Sequence, residues 1–258
     1  MPSNTTAARG DDARWAGDLT LTPGMVVYMG PGGPSDPHSH NAVQLFWSFD
    51  EPMTLETEQG ALVGQAVLMP KSIEHRLEYE GDRLLAAFFE PLGPRGSELD
   101  ALARQHLGST IEPLLPDPGS VAAEDPVTLV GLVLDALLPG QARAPEVSAH
   151  VTAAIDYMET AIDGRPLLDE AARAANISPS RLTHLFTEEM GIPFRRFILW
   201  MRLRRAVEAV AAGANLTEAA IEAGFSDSSH LSRVFRETFG LNPSALLGMK
   251  VRSADWPG

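Results

Sequence analysis

The sequence contains no cysteine, which excludes disulfide bonds and metal sites built on thiolate ligands. It also contains no apolar run that approaches the ~18 residues expected of a membrane-spanning helix. Its first residues lack the charged and apolar regions of a signal peptide. These absences predict a cytoplasmic protein without a membrane segment.

Basic residues are also scarce, since 20 Lys and Arg stand against 34 Asp and Glu and give a net charge of −14. Such a balance is unusual for a protein that binds nucleic acid. The deficit is uneven, however, because residues 1–145 carry 8 basic and 20 acidic residues and residues 146–258 carry 12 and 14. Five arginines fall within eleven residues that contain no acidic side chain: Arg195, Arg196, Arg202, Arg204 and Arg205. Because phosphates respond to local charge, this cluster predicts contacts with a nucleic-acid backbone.

Two kinds of pattern divide the 258 residues, of which 44% are hydrophobic, enough for a substantial core. From Asp18 to about Pro91, short apolar runs such as MVVYM, VQLFWSF and RLLAAFF alternate with turn residues and predict a small β barrel or sandwich. Beyond this stretch the spacing of apolar residues is helical. The predicted units are a flexible leader (1–17), a sensor and dimerisation domain with trailing helices (18–138), a linker (139–145), an all-α domain (146–250) and a tail (251–258).

A stretch of the all-α domain occurs twice. Residues 167–191 (LLDEAARAANISPSRLTHLFTEEMG) align with residues 216–240, and the turn is one residue longer in the second copy. Each copy indicates two helices around a tight corner, where Gly224 can take the positive φ that ends a helix. Ser178 in one copy, and Asp227 or Ser228 in the other, can cap the helix that follows. Two such units joined by a long helix over residues 194–212 have the form of paired helix-turn-helix motifs.

The second copy continues as AGFSDSSHLSRVFRETFGLNP, residues 223–243. This segment resembles the signature of AraC/XylS-type transcriptional regulators, and the resemblance covers residues 150–248. It implies two helix-turn-helix units that bind double-stranded DNA. The sequence departs from the family pattern at Leu246 and Leu247, where the family usually has an aromatic residue followed by arginine.

Helical spacing separates an inward apolar face from an outward polar face on the second helix of each unit. The predicted base contacts are Ser180, Thr183 and His184 from the first unit and Ser229, His230 and Arg233 from the second. Arg233 is the best candidate for bidentate contact with a guanine. The predicted contacts with the DNA backbone are Arg195, Arg196, Arg202 and Arg236.

Three histidines and a glutamine stand out in the β region. His38 and His40 occupy alternate positions and therefore point the same way on a strand. Gln44 follows four residues after His40, and His75 lies further on, after a second glycine and proline motif. This pattern is similar to the two cupin motifs, whose family places two histidines, a glutamate and a third histidine around a divalent metal inside a jelly-roll barrel.

Gln44 stands where that family has the glutamate, and Ser72 and Tyr79 replace a glycine and an asparagine. The resemblance implies either a divalent metal (Zn, Ni, Fe or Mn) or a metal-free pocket that binds a small-molecule effector through the same side chains. An amide is a weaker ligand than a carboxylate, so both alternatives stay open.

The segment DPVTLVGLVLDALLPG, residues 125–140, predicts a helix that Asp125 caps and that Pro139 and Gly140 end. Its broad apolar face includes Val130, Val133, Leu134 and Leu137. The face can pack on the outside of the barrel or form the interface of a homodimer, as the resemblance implies.

The combined prediction is a transcription regulator whose cupin-like domain senses a small molecule and modulates promoter binding. Activation and repression are both open. The alternative is a cupin-type metal-dependent oxygenase or isomerase tethered to DNA, for which Glu74 and Tyr79 are the only evident acid–base groups. A sensor that binds only protein partners would leave the polar helix faces without a role.

Overall fold

We describe the protein from a computed structural model. The structure describes residues 15–22, 24–91, 94–121, 124–139, 147–164, 166–239, 243, 246 and 249–253. A β domain comes first and an all-α domain follows, which confirms the predicted fold class.

The strands of the β domain form two sheets. The strands are β1 (Asp18–Thr22), β2 (Met25–Gly30), β3 (Val43–Ser48), β4 (Met53–Thr57), β5 (Gly60–Gly64), β6 (Ala66–Met69), β7 (His75–Glu78), β8 (Leu84–Phe89) and β9 (Lys250–Ser253). Among the described residues, one sheet has the order β6-β3-β8-β2-β1-β9 and the other the order β5-β4-β7. All pairings are antiparallel except that of β1 with β9.

The larger sheet is buried on both faces, as strand β8 shows. Leu84, Ala86 and Phe88 alternate toward the space between the sheets, where they join the same core as Phe46 and Leu55. The intervening residues of β8 face the other way and belong to a second apolar cluster. Because strand side chains alternate with a period of two, a strand covered on both faces appears as the continuous apolar run LLAAFF.

Two helices cover the outer face of the larger sheet. They are α1 (Pro94–Gln105) and α3 (Pro126–Leu137), with a 3₁₀ turn at Glu112–Leu114 and the short helix α2 (Pro118–Val121) between them. Asp125 caps α3 by accepting hydrogen bonds from the backbone N–H groups of Val127 and Thr128, as predicted. Leu129 and Val133 are fully buried against the sheet, so the apolar face of α3 packs on the β domain.

The all-α domain has the predicted repeat. It consists of α4 (Ala149–Thr160), α5 (Leu168–Ala174), α6 (Pro179–Met190), α7 (Phe194–Ala211), α8 (Leu216–Glu222) and α9 (Ser228–Phe239). Helices α5 and α6 form the first helix-turn-helix unit, α8 and α9 form the second, and α7 joins them. Phe186 in the first unit and Phe235 in the second anchor their helices in one core.

The corners of the two units share one backbone conformation. Gly224 has φ +77°, and Asn176, which occupies the equivalent position, has φ +55°. The next residue of each unit, Phe225 or Ile177, donates its N–H to a carbonyl five residues earlier, that of Ala220 or Ala172. Glycine and asparagine are the residues that adopt this left-handed conformation most readily, so both copies meet the same geometric demand.

The packed part of the chain extends beyond the predicted boundaries at both ends. Trp15, placed in the predicted leader, is 7% exposed and stacks on Tyr28 with ring centroids 5.2 Å apart. Residues 251–253, placed in the predicted tail, belong to β9, whose Lys250 pairs with Asp18 of β1. The predicted linker lies outside the described residues except for Pro139.

None of the described helices is both long enough and apolar enough to cross a lipid bilayer. The longest of them, α7, has 18 residues and carries arginine side chains along its length.

Candidate functional site

The three predicted histidines meet in the β domain. His38 and His75 form an antiparallel bridge, with backbone N···O distances of 3.0 and 2.9 Å. One ring nitrogen from each of His38, His40 and His75 lies within 4.8 Å of the others. His40 is 4% and His75 2% exposed, whereas His38 is half-buried at the edge of the group. We call these three residues together with Gln44 the histidine site.

Backbone carbonyls fix the orientation of each imidazole. The Nδ1 atom of His38 lies 2.7 Å from the carbonyl oxygen of Asp36, that of His40 lies 3.2 Å from Ala42, and that of His75 lies 2.9 Å from Ile73. Since a carbonyl oxygen can only accept a hydrogen bond, each Nδ1 must carry the proton. In a neutral ring Nε2 then keeps a lone pair, which is the tautomer that metal-binding histidines adopt.

Burial keeps two of these rings neutral. It lowers the pKa of His40 to about 4 and, with the charge of His38 adding to the effect, the pKa of His75 to about 3. Burial disfavours a charged imidazole because the interior solvates it poorly. At neutral pH both rings are free bases.

The amide oxygen of Gln44 faces two of the free lone pairs. It lies 2.9 Å from His40 Nε2 and 3.0 Å from His75 Nε2. With the tautomers above, no proton is available between these atoms, so their lone pairs repel. Two arrangements remove the repulsion, namely a cation bound among them or a rotation of the amide that turns its NH₂ group toward both rings.

A strained residue holds the two histidine loops together. Ser72, which stands where cupins have a glycine, has φ +63°, and its N–H donates to the carbonyl of His40 over 2.9 Å. Tyr79, the other departure, donates its hydroxyl hydrogen to Asp50, which also accepts from the backbone N–H groups of Asp82 and Arg83. The Tyr79 hydroxyl thus belongs to a turn network and not to the histidine site.

An apolar cavity adjoins the histidine site. Its free volume is about 20 Å³, enough for a water molecule or an ion. Its walls are Trp15, Tyr28, Ser35, His38, Gln44, Phe46, Leu77, Ala86 and Phe88. Most of these walls are apolar, and two of the polar ones, His38 and Gln44, belong to the histidine site itself. A polar ligand would therefore bind at the histidine site.

The first helix-turn-helix unit presents its predicted contacts outward. Ser180, Thr183 and His184 are all exposed on α6, and Thr183 also donates its hydroxyl hydrogen to the carbonyl of Pro179 over 2.9 Å. Arg181 is exposed on the same helix and lies three residues before His184. Sequence reasoning missed Arg181, although its place beside the buried Leu182 indicates an outward basic side chain.

The second unit presents part of its predicted set. Ser229 and Arg233 are exposed on α9, as is Arg236 near its end. His230 is half-buried, because its ring stacks edge-on against Phe225 with centroids 5.3 Å apart. Its Nδ1 lies 3.1 Å from the hydroxyl oxygen of Ser226. His230 therefore supports the corner of the unit, and the outward polar face is formed mainly by serine and arginine.

Comparison with known proteins identifies the all-α domain. Residues 171–249 match the sequence family described as a helix-turn-helix domain. That match spans both repeated units and α7. Residues 171–249 thus form a helix-turn-helix domain.

Two proteins similar to this chain are named as transcriptional regulators. The HTH-type transcriptional regulator GlxA of Rhizobium meliloti is 38% identical over 96 residues, which are 36% of this chain and 29% of that protein. The uncharacterized HTH-type transcriptional regulator YijO of Escherichia coli is 25% identical over 228 residues, 87% of this chain and 73% of that protein. The chain thus spans less than a third of the first relative and nearly three quarters of the second.

Similar solved structures include ToxT from Vibrio cholerae with a bound unsaturated fatty acid. It covers 87% of this chain and 95% of the ToxT chain, with 16% identity and a TM-score of 0.47.

Most of the clustered arginines of the helix-turn-helix domain have partners within the protein. The contacts join Arg196 to Glu90 at 2.6 Å, Arg202 to the carbonyl of Gly164 at 2.7 Å, Arg204 to Glu208 at 3.7 Å and to Glu159 at 3.8 Å, and Arg205 to Asp163 at 2.8 Å. Arg195 is exposed. Of the four predicted backbone contacts, Arg195 and Arg236 point to solvent, whereas Arg196 and Arg202 bind other parts of the protein.

Proposed function

We propose that this protein is a transcription regulator that binds double-stranded DNA through both helix-turn-helix units and that responds to a ligand at the histidine site. The observation that carries the proposal is the pair of equivalent units at the two ends of α7, each with an exposed polar helix. Recognition helices on one rigid support can enter successive major-groove segments, which lie about 34 Å apart on one face of DNA. In this proposal, Arg233 and the short side chains around it recognise the base sequence.

Exchange of Arg233 for alanine tests the DNA-binding part. On a site selected from random duplexes, Arg233→Ala is expected to cost about 1–3 kcal/mol and to relax the preference at one base pair. Arg236→Ala, on the same helix, is expected to weaken binding to all sequences alike and to reduce the salt dependence by the share of one phosphate contact. Binding isotherms on the site and on its single-base variants distinguish the two effects.

Arg76→Ala is the matched control, because Arg76 lies on β7 of the other domain. It should leave the selected site and the affinity unchanged. If Arg233→Ala keeps the full affinity and base preference, Arg233 does not read the sequence and α9 is not placed in the groove as proposed.

We further propose that the histidine site binds a first-row divalent metal ion. His38, His40 and His75 would hold the ion through Nε2 and Gln44 through its amide oxygen, and the donor set suits zinc, nickel or iron. A bound ion would supply a positive charge and open positions for an anionic or polar effector. The protein contributes the orientation of the rings through the three backbone carbonyls and excludes water through the aromatic wall.

Elemental analysis of untagged protein purified without chelator tests this proposal. A stoichiometric metal that is lost in His40→Ala/His75→Ala supports the site. Gln44→Glu restores an anionic ligand and should tighten binding, while exposed His184→Ala is the control and should keep the metal. Protein without metal, together with no uptake of zinc or nickel on dialysis, would show that the Gln44 amide is rotated and satisfies the imidazoles itself.

A metal-dependent oxygenase or isomerase is the second candidate, and the cluster of three histidines is the observation that favours it. Such an enzyme needs an acid–base group beside the metal. Tyr79 is tied to Asp50, and Glu74 is exposed on the loop before β7. Turnover of a small molecule by the metal-loaded protein would favour the enzyme over the regulator.

A further inference from the structure

Glu90, a residue of the β domain, carries a carboxylate that lies in the contact with the helix-turn-helix domain. It follows the last residue of β8, and its N–H donates to the carbonyl of Gly24 over 2.9 Å. Its side chain is only 1% exposed. A buried carboxylate is costly unless cations and hydrogen-bond donors compensate it, so the groups around Glu90 determine whether this contact forms.

Two side chains of α7 are among those groups. One carboxylate oxygen of Glu90 accepts hydrogen bonds from Arg196 Nε at 2.9 Å, from Arg196 Nη2 at 2.6 Å and from the indole Nε1 of Trp200 at 3.0 Å. The side chain of Arg196 is 27% exposed, so it borders solvent while its partner does not. Arg196 and Trp200 lie one helical turn apart and therefore converge on one acceptor.

Arg196 is thus occupied by an anion that belongs to the protein itself. A carboxylate oxygen that receives two N–H groups of one guanidinium resembles a phosphate oxygen in charge and in hydrogen bonding. Glu90 also lies close to the histidine site along the chain, because Phe88, two residues earlier, packs against the ring of His40 with centroids 5.6 Å apart.

A second contact involves the same parts of the molecule. The N–H of Asn41, the neighbour of His40, donates to the carbonyl of Glu237 on α9 over 3.0 Å. The loop of the histidine site therefore contacts the second recognition helix, while β8 contacts α7 through Glu90. Asn41 directly follows His40, and Glu90 lies two residues after Phe88, which packs against His40. Both contacts between the domains therefore lie next to the histidine site.

We propose that Glu90 acts as an internal phosphate mimic that masks Arg196, so that the DNA backbone and Glu90 compete for this guanidinium. This inference rests on the proposed DNA-binding function and adds a residue of the other domain that lowers DNA affinity. In the masked state Arg196 makes no contribution to phosphate binding. When DNA takes the guanidinium, the Glu90 carboxylate loses its ion pair with Arg196.

The test is a set of duplex-binding isotherms at several salt concentrations with the full-length protein. Glu90→Gln keeps the shape of the side chain but removes its charge and is expected to raise the affinity for duplex DNA about fivefold or more. It is also expected to steepen the slope of log K against log salt by about 0.9, the share of one additional phosphate contact. Adding Arg196→Gln to Glu90→Gln should remove both the gain and the extra slope, without leaving a charge buried.

Two further variants separate masking from other causes. Glu56→Gln makes the same charge change at an exposed position of β4, and an equal gain there would show a general effect of net charge and overturn the proposal. Trp200→Phe removes the indole donor and keeps an aromatic ring, and it should produce a smaller change in the same direction. This variant replaces Glu90→Gln in the test if circular dichroism shows that Glu90→Gln does not fold.

An affinity that is unchanged in Glu90→Gln and in Trp200→Phe overturns the masking of Arg196, as does a gain that persists in the double variant. Wild-type protein that binds no duplex at low salt would instead overturn the proposed function itself. The two failures are therefore distinguishable.

Discussion

A single backbone conformation shapes the corner of the second helix-turn-helix unit. Gly224 has φ +77°, and a Cβ atom at this position would lie 2.6 Å from the carbonyl oxygen of Ile162. The glycine thus meets two demands, the left-handed turn and the close approach of α8 to the end of α4. Asn176 occupies the equivalent position of the first unit, which shows that the turn alone does not require glycine.

Gly224→Ala is accordingly expected to destabilise the protein by at least about 2 kcal/mol, the sum of the cost of positive φ and of the contact with a carbonyl that cannot move freely. Urea denaturation, compared with wild type, measures the loss. The matched control is Gly131→Ala, in the middle of α3, where an added Cβ meets nothing within 4 Å. That change should stabilise the protein by about 0.5–1 kcal/mol. Equal stability of the two variants would contradict the argument.

Many single residues of the fold could be predicted, because their signals are local. Ser178 and Asp125 precede helices and cap them, and the left-handed Gly224 follows from residue type and spacing. The grouping of the three histidines with Gln44 could be predicted from the spacing of a motif. Pairings across the chain could not, because Arg196 gives no local sign that its partner is Glu90, 106 positions away. The contacts of the arginine cluster with DNA phosphates are predicted from local charge. Local charge does not reveal that a carboxylate of the same protein, Glu90, pairs with Arg196.

At the scale of elements, helix α3 has two different faces. Leu129 is fully buried under the sheet, whereas Leu132 is 38% exposed and Thr128, Asp135 and Ala136 are exposed beside it. The sequence predicted the broad apolar face but left two roles open for it. The structure assigns that face to packing on the β domain, so a homodimer through α3 would have to use the narrower face around Leu132.

Leu129→Ala is expected to lower the free energy of unfolding by about 2–4 kcal/mol, because it leaves a cavity where the sheet cannot collapse. At dilutions where the protein is a monomer, Leu132→Ala, on the same helix, should change it by about 0.5 kcal/mol or less. Thermal or urea denaturation of the two variants provides the comparison. A similar loss in both would mean that Leu132 is buried in the protein in solution.

We propose that the face around Leu132 forms the interface of a homodimer. Leu132→Glu is then expected to give a folded monomer, since a charge is costly to bury at an interface. Sedimentation velocity at several concentrations measures the association. Wild-type protein that sediments as a monomer throughout this range would contradict the proposed dimer.

At the scale of the molecule, the two domains share a sheet. Strand β9 follows the helix-turn-helix domain and pairs in parallel with β1, and Lys250 donates its N–H to the carbonyl of Gly17 over 2.9 Å. The ion pair of Arg252 with Asp18, at 3.6 Å, lies at the same edge. This strand could not be predicted, because KVRS is short and mostly polar and its partner β1 is far away in the sequence.

Removal of residues 250–258 should expose the edge of β1. The backbone amides of β1 are expected to exchange with deuterium about tenfold faster or more, because an edge strand without its neighbour opens more often. Amides of β3, which lies between β6 and β8, serve as the internal control and should keep their rates. Hydrogen exchange with mass spectrometry resolves the two strands, and unchanged exchange in β1 would show that β9 does not pair in solution.

The pairing of Asp18 with Lys250 also constrains how the protein is made. During synthesis the β domain emerges first, yet one strand of its larger sheet is translated only after the whole helix-turn-helix domain. Domains generally fold as they leave the ribosome, and contacts between distant residues form slowly. The edge of β1 therefore stays uncovered on the nascent chain until residues 250–253 have been translated. A ribosome that stalls before residue 250 would hold a β domain with an open edge, which is a site for pairing with other nascent chains.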